Sequence, residues 1–164
     1  MNGVAAIQSA LNSTKFLLTW LVGDFSDTDL LIRAAPNANH VAWQIGHLIA
    51  TERFHVEQQL PDTVYPEFPE GFTETHGGSN ARENSAERFL SQRDYLEWFE
   101  RVRSITIDAV SRLSDADLDR PAPGAVAGFA PTLGAVLLLI SNHTLMHGGQ
   151  VSVVRRILGK PVLF

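Results

Sequence analysis

The sequence contains no cysteine. That absence excludes disulfides, a nucleophilic thiol and any thiolate metal site, so a bound metal would need imidazole or carboxylate ligands. Long apolar runs are missing too. The most hydrophobic stretch, Leu133 to Ile140, falls well short of the roughly 20 residues a membrane span needs, and Ser141, Asn142 and His143 follow it. The opening MNGVAAIQSALNSTK has no basic region ahead of an apolar block and does not read as a signal peptide, so the cytoplasm is the expected location. Positive charge is scarce: 13 Lys and Arg stand against 18 Asp and Glu, a formal net charge of −5. The basic residues are scattered apart from Arg155 and Arg156, which leaves no footprint for a phosphate backbone; neither nucleic acid nor a membrane is an expected partner. Period-2 alternation is absent, and no Asn-Gly or Asp-Gly pair sits between apolar runs, so nothing signals a sheet.

What remains is a chain of 164 residues, 45% hydrophobic and 19% charged. That is the size and composition of one domain, spanning 1–164, with a full core. Four segments have helical length and period. The first runs from about Gly3 to Val22, with Val4, Ile7, Leu11, Leu18 and Leu21 near a 3.6-residue repeat. The second begins after Asn39, a candidate cap, and continues from His40 to Leu60, where Pro61 stops it. The third is expected to follow the caps Asn84 and Ser85 and reach about Leu113, with Phe89, Leu96, Phe99, Val102, Ile105, Ile107 and Val110 on its apolar side. The fourth starts near Thr132 and ends where Gly159 can cap and Pro161 blocks continuation.

Residues 61–84 have no period but hold Tyr65, Phe68, Phe72 and His76. Helix 2 spans about 31 Å at roughly 1.5 Å per residue, while this loop can stretch to roughly 80 Å. It is therefore long enough to cross the molecule end to end and leave helices 2 and 3 parallel. The expected fold class is all-α, a four-helix bundle.

The stretch HTLMHGGQ, 143–150, puts polar chemistry inside the fourth helix. Projected at about 100° per residue, His143, Met146, His147, Gln150, Val151, Val154 and Ile157 share one side, while Ser141, Gly148, Ser152 and Arg155 take the other. Two imidazoles and an amide on an apolar stripe need partners. A shared divalent metal is one, because i,i+4 histidines can reach the same ion; hydrogen-bonded core histidines are the competing reading of so short a motif. Helix 2 adds to the case. Around His47, residues His40, Trp43, Gln44, Thr51, Phe54 and Gln58 lie within about 60°, with His47 internal and His40 at the frayed start, where it can be solvated. Bundle cores are where such sites are built from facing helices. Three neutral histidines leave a divalent ion its full charge and an open position, which suits catalysis, and zinc and nickel both accept imidazole.

Other candidates fall around this set. His76, beside Gly77 and Gly78, is a candidate fourth ligand or substrate contact, and surface exposure is the plainer alternative. His55 lies about 80° from His47, where packing or solvent contact is expected, and Glu52 lies about 140° away, where an interhelical hydrogen bond or solvent is expected. Gln150 is placed to orient an imidazole, or to make a plain interhelical hydrogen bond. Gly148 and Gly149 each cost up to about 1 kcal/mol inside a helix, and their direction points to close packing of a neighbouring helix or subunit.

At WQIGHLIATE (43–52), SDADLDRP (114–121) and HTLMHGGQVSVVRRILGKP (143–161), the chain resembles the DinB-like metal-binding four-helix bundles. The resemblance covers nearly the full length. It implies helices ordered up-down-down-up, a homodimer, and a divalent metal, zinc or nickel, held by His47, His143 and His147. Trp43, Gln44, Thr51, His76 and Gln150 stand nearby as pocket candidates. Many relatives resemble H-R-G-Q where this chain has His147, Gly148, Gly149 and Gln150, so that arginine's role has no carrier here. The resemblance further implies a thiol transferase or isomerase, in which the metal activates a low-molecular-weight thiol against a small electrophilic substrate. A hydrolase using metal-activated water and a non-catalytic metal- or ligand-binding bundle are the alternatives.

Overall fold

The computed structural model describes residues 1–78, 82 and 85–163. Four long helices dominate: α1 (Gly3–Val22), α2 (Val41–Gln59), α4 (Gln92–Ser111) and α5 (Leu133–Ile157), with a single turn, α3 (Phe72–Thr75), between α2 and α4. Among the described residues there is no β-strand, only isolated bridges pairing Arg33 with His40 and Pro121 with Thr132. No helix among them is long and apolar enough to cross a membrane.

Each long helix starts on a side-chain cap that takes up a free backbone N–H. The Asn2 side chain accepts from Ala5 N–H at 2.9 Å and Thr132 from Ala135 N–H at 3.2 Å. Two starts differ from the sequence expectation. The cap of α2 is His40 rather than Asn39: its Nδ1 accepts from Trp43 N–H at 3.1 Å, and the ring is fully buried, edge-on to Phe89, rather than solvated. The third long helix starts at Gln92, capped by Ser91, whose Oγ accepts from Asp94 N–H at 3.1 Å. Ser85 heads only a 3-10 turn, Ala86–Arg88, and Phe89 lies outside the helix, where its ring packs on His40 and His76. Asn84 lies outside the described residues. At the far end, α5 closes on Gly159 at φ 68°, a left-handed conformation that costs glycine little.

Cross-helix contacts fix the directions. Ser141 Oγ donates to the Ala10 carbonyl, Gly148 lies against Leu17 and Leu21, and Arg155 donates to the Leu21 carbonyl, so α1 and α5 run the same way. Val4 N–H donates to Asp115, just past α4, while the Gln92 side chain reaches the Val22 carbonyl, so α4 runs opposite to α1. Gln44 meets His147 while Glu52 and Thr144 share Arg103, so α2 runs opposite to α5 and hence parallel to α4. The end of α2 and the start of α4 therefore lie at opposite ends of the bundle. Both α1 and α2 pack on α4 and α5, and Ile7, Leu11, Leu18, Ile45, Ile49, Phe99, Val110, Leu137 and Val151 fill the space between them.

The buried faces of α4 and α5 match the projection only in part, at Phe99, Val102 and Val110 and at His147, Val151 and Val154. In α4 they include Tyr95, Arg103 and Thr106, while Leu96, Ile105 and Ile107 are half-buried. In α5, Ser141, Gly148 and Arg155 are buried against α1, whereas Met146 and Ile157 are exposed. Hydropathy misplaces such a face because small residues allow close helix approach, and a long cationic side chain is buried once its head is paired, as Arg155 is with Asp24.

Candidate metal centre

His47 comes from the middle of α2, and His143 and His147 from successive turns of α5, where the two helices meet. Their ligand nitrogens all lie within 4.8 Å of one another. The Nε2 atoms of His143 and His147 are 3.1 Å apart, and the His47 ring stands edge-on to both, 5.1 and 5.7 Å between centroids. His147 is buried, while His143 and His47 are half-buried.

Two of the rings are oriented from behind. Nδ1 of His147 is 3.1 Å from Gln44 Oε1, and the Gln44 amide is itself fixed by donating to the Asn39 carbonyl at 2.6 Å. The acceptor atom thus faces the imidazole, which carries its proton on Nδ1 and its lone pair on Nε2. Nδ1 of His47 lies 3.4 Å from the His76 carbonyl, which favours the same tautomer. A carbonyl behind each ligating imidazole is the usual support of a metal-binding histidine. Trp43 stacks on His47, 4.6 Å between centroids and 12° between planes, and fixes the ring's tilt.

Electrostatics keep the cluster neutral. Burial pushes the imidazoles down, His143 to about 4 and His147 to about 3, and the neighbouring histidines add to both shifts. His47 is lowered by burial as well, against a smaller upward pull from the His76 carbonyl. At neutral pH three uncharged imidazoles therefore face one small volume, and each has a ring nitrogen that can turn a lone pair toward a cation. Donor type, convergence and supporting carbonyls all fit a divalent ion.

The remaining sequence candidates separate clearly. His76 is neither a fourth ligand nor a surface group: it is buried, its Nδ1 bonds the Phe72 carbonyl and its Nε2 the Tyr95 hydroxyl, both at 2.7 Å. Its backbone carbonyl is what serves the site. His147 is oriented by Gln44 rather than by Gln150, which lies one turn further on and is half-buried. Phe54, expected beside His47, is 58% exposed. Gly148 packs on α1, while Gly149 has open space where a Cβ would stand.

A cavity of about 300 Å³ opens beside the cluster, with His47 and His143 in its wall. Leu48, Leu139, Ile140 and Phe129 supply apolar surface, and Thr51 and His55 also face it. His55, assigned to packing or solvent from the sequence, thus borders the same space as the imidazoles.

The sequence reading missed Arg103. It is fully buried and reaches all four long helices: Nε and Nη2 donate to Glu52 at 2.9–3.0 Å, Nη1 to the Leu11 carbonyl and Thr14, and Nη2 to Thr144. An arginine at the 3.6-residue spacing of Phe99, Thr106 and Val110 was the available signal. Glu52, its partner, is the interhelical contact considered from sequence.

The sequence profile of the DinB superfamily matches residues 10–151, which include all three histidines and every long helix in whole or part. The chain belongs to the DinB superfamily. No curated protein matches it. Among solved structures, a DinB-like protein from Bacillus cereus ATCC 10987 superposes with a TM-score of 0.66 at 17% identity, over 94% of this chain and 89% of that one. At that identity the likeness speaks for the DinB-like helical fold.

Proposed function

We propose that this DinB-superfamily chain is a divalent-metal-dependent enzyme that activates a small thiol for transfer to an electrophile. The observation that carries the reading is the convergence of three neutral imidazoles at the wall of a cavity. A structural site would be closed by a fourth protein ligand; a three-histidine set leaves a position for substrate. His47, His143 and His147 are the proposed ligands, Zn(II) or Ni(II) the proposed ion, and the cytoplasm the proposed compartment. A divalent ion held there supplies Lewis-acid chemistry, lowering the pKa of an incoming thiol. The chain's own residues do the rest. Gln44 and the His76 carbonyl hold the imidazole protons on the outer nitrogens, Trp43 holds the His47 plane, and Leu139 and Ile140 keep the approach dry.

The test has two readouts. Protein loaded with Zn(II) or Ni(II) and then dialysed should retain about one equivalent by elemental analysis, and His47→Ala and His143→Ala should lose it. Loaded protein should consume free thiol in the presence of an aryl halide faster than the His143→Ala variant does. Stoichiometric metal with no difference in thiol consumption would leave a non-catalytic metal bundle; failure to retain metal would remove the centre altogether.

We also propose a homodimer formed through the outer face of α5, where Leu138, Leu145, Met146 and Val153 are exposed around Gly149. Sedimentation should give twice the chain mass, and Leu145→Glu should give a monomer.

A further inference from the structure

The cavity beside the imidazoles has a chemical character of its own. Among the described residues no lysine or arginine lines it. Glu52 reaches its wall, but both carboxylate oxygens are taken by Arg103 from within the core. The other polar groups are spoken for as well. Thr51 donates to the His47 carbonyl at 2.7 Å, and Thr144 donates to the Ile140 carbonyl while accepting from Arg103. His55 differs. It is half-buried, its ring packs on that of Phe54, and neither ring nitrogen has a hydrogen-bond partner among the described residues. Phe129, on the turn before α5, is 70% exposed at the same cavity, an aromatic surface that the protein itself leaves uncovered.

Apolar walls in which, apart from the imidazoles of the candidate metal centre, His55 is the polar side chain with no partner among the described residues favour a ligand of matching pattern. A charged body would lose its hydration there with no counter-charge from the walls, whereas an uncharged aromatic or aliphatic body buries apolar surface against Leu48, Leu139, Ile140 and Phe129. We infer that the cavity binds an uncharged, chiefly apolar substrate body carrying one hydrogen-bonding group, and that His55 is the specificity-determining residue that engages that group. Calling this ligand the substrate rests on the catalytic reading above; the binding preference is a property of the walls alone.

The experiment follows the methyl NMR signals of Leu48, Leu139 and Ile140 in metal-free and Zn(II)-loaded protein. Phenol, toluene, benzoate and benzylammonium are the probes, alike in size and different in charge and hydrogen bonding. Phenol and toluene should shift those methyls saturably in both forms, and in the metal-free form both should bind more tightly than benzoate or benzylammonium. Phenol should exceed toluene by about fivefold, the worth of one neutral hydrogen bond. His55→Phe, which keeps a ring and removes the nitrogens, should bring phenol and toluene within about twofold while Zn(II) stoichiometry stays unchanged. Tighter benzoate or benzylammonium binding to metal-free protein, or no methyl shifts with the neutral probes, would overturn the ligand class. An undiminished phenol preference in His55→Phe would overturn the role of His55. Protein that retains no zinc yet binds phenol at these methyls would uphold this inference and sink the metal reading, so the two fail separately.

Discussion

Gln44 Oε1 stands 3.1 Å from Nδ1 of His147, and the same amide donates its N–H to the Asn39 carbonyl at 2.6 Å. One side chain on α2 thereby selects the tautomer of an imidazole on α5. Replacing Gln44 by Ala should leave all three histidines in place but free His147 to rotate and to carry its proton on either nitrogen. The expected result is a loss of about 10–100-fold in Zn(II) affinity, measured by competition against a chromophoric chelator. Unaltered affinity in a folded Gln44→Ala protein would show that this hydrogen bond does not support the site.

A second support runs through glycine. A Cβ on Gly46 would overlap Cδ2 and Nε2 of His76. The ring cannot move aside cheaply, because the Phe72 carbonyl and Tyr95 hydroxyl hold it at both nitrogens. Gly46→Ala should therefore push the His76 segment away from α2, carrying its carbonyl off His47. Urea denaturation should report about 1–3 kcal/mol of lost stability from overpacking, and Zn(II) affinity should fall with it. Retained affinity alongside lost stability would separate the packing role from the orienting one.

The ranges of α1, α2 and α5 were legible because apolar period ran through each of them and Pro61 and Pro161 marked where α2 and α5 stop, whereas α4 begins at Gln92, later than the start expected after Ser85. His47, His143 and His147 were legible because imidazoles near apolar stripes on two helices demand a common explanation. The supporting contacts were not. That the His76 carbonyl rather than its ring faces His47, and that Phe89 lies outside the helix and packs on His40, depend on long-range packing against α2 and α4, and no local pattern encodes that. Arg103 escaped for a different reason: a projection that seeks apolar stripes treats arginine as an interruption, whereas five satisfied donors make it the centre of one.

That arginine should dominate the stability of the bundle. Its side chain is 1% exposed and that of Glu52 is 2% exposed. Removing one partner leaves a buried, uncompensated charge, so Arg103→Met should cost about 3–5 kcal/mol in urea denaturation. Replacing both, as Glu52→Leu with Arg103→Met, removes the charge that the single change strands and should recover at least half of that loss. A double variant as weak as the single one would mean that the hydrogen bonds to Leu11, Thr14 and Thr144, rather than the ion pair, account for the cost.

The histidine cluster also sets how the metal-free protein responds to acid. Burial lowers His143 and His76 to about 4 and His147 to about 3 in the folded chain, against about 6.5 when unfolded. Between these limits the unfolded chain binds more protons than the folded one, so protons favour unfolding. Stability from these groups is fully present above about pH 6.5 and is lost as pH falls from there toward about 4. Asp24, held low by its hydrogen bonds and charge pairing with Arg155, adds loss only in the more acidic range where carboxylates titrate. Urea midpoints of metal-free protein should therefore be level near pH 7–8 and decline through pH 6 and 5. His147→Gln, which cannot take up the proton, should show a shallower decline. Zn(II) should raise the midpoint at pH 7, because it binds the folded state, and that gain should vanish over the same acidic range as protons compete for the imidazoles. A metal-free midpoint that climbs on acidification from pH 7 to 5 would contradict the buried, neutral state of these rings.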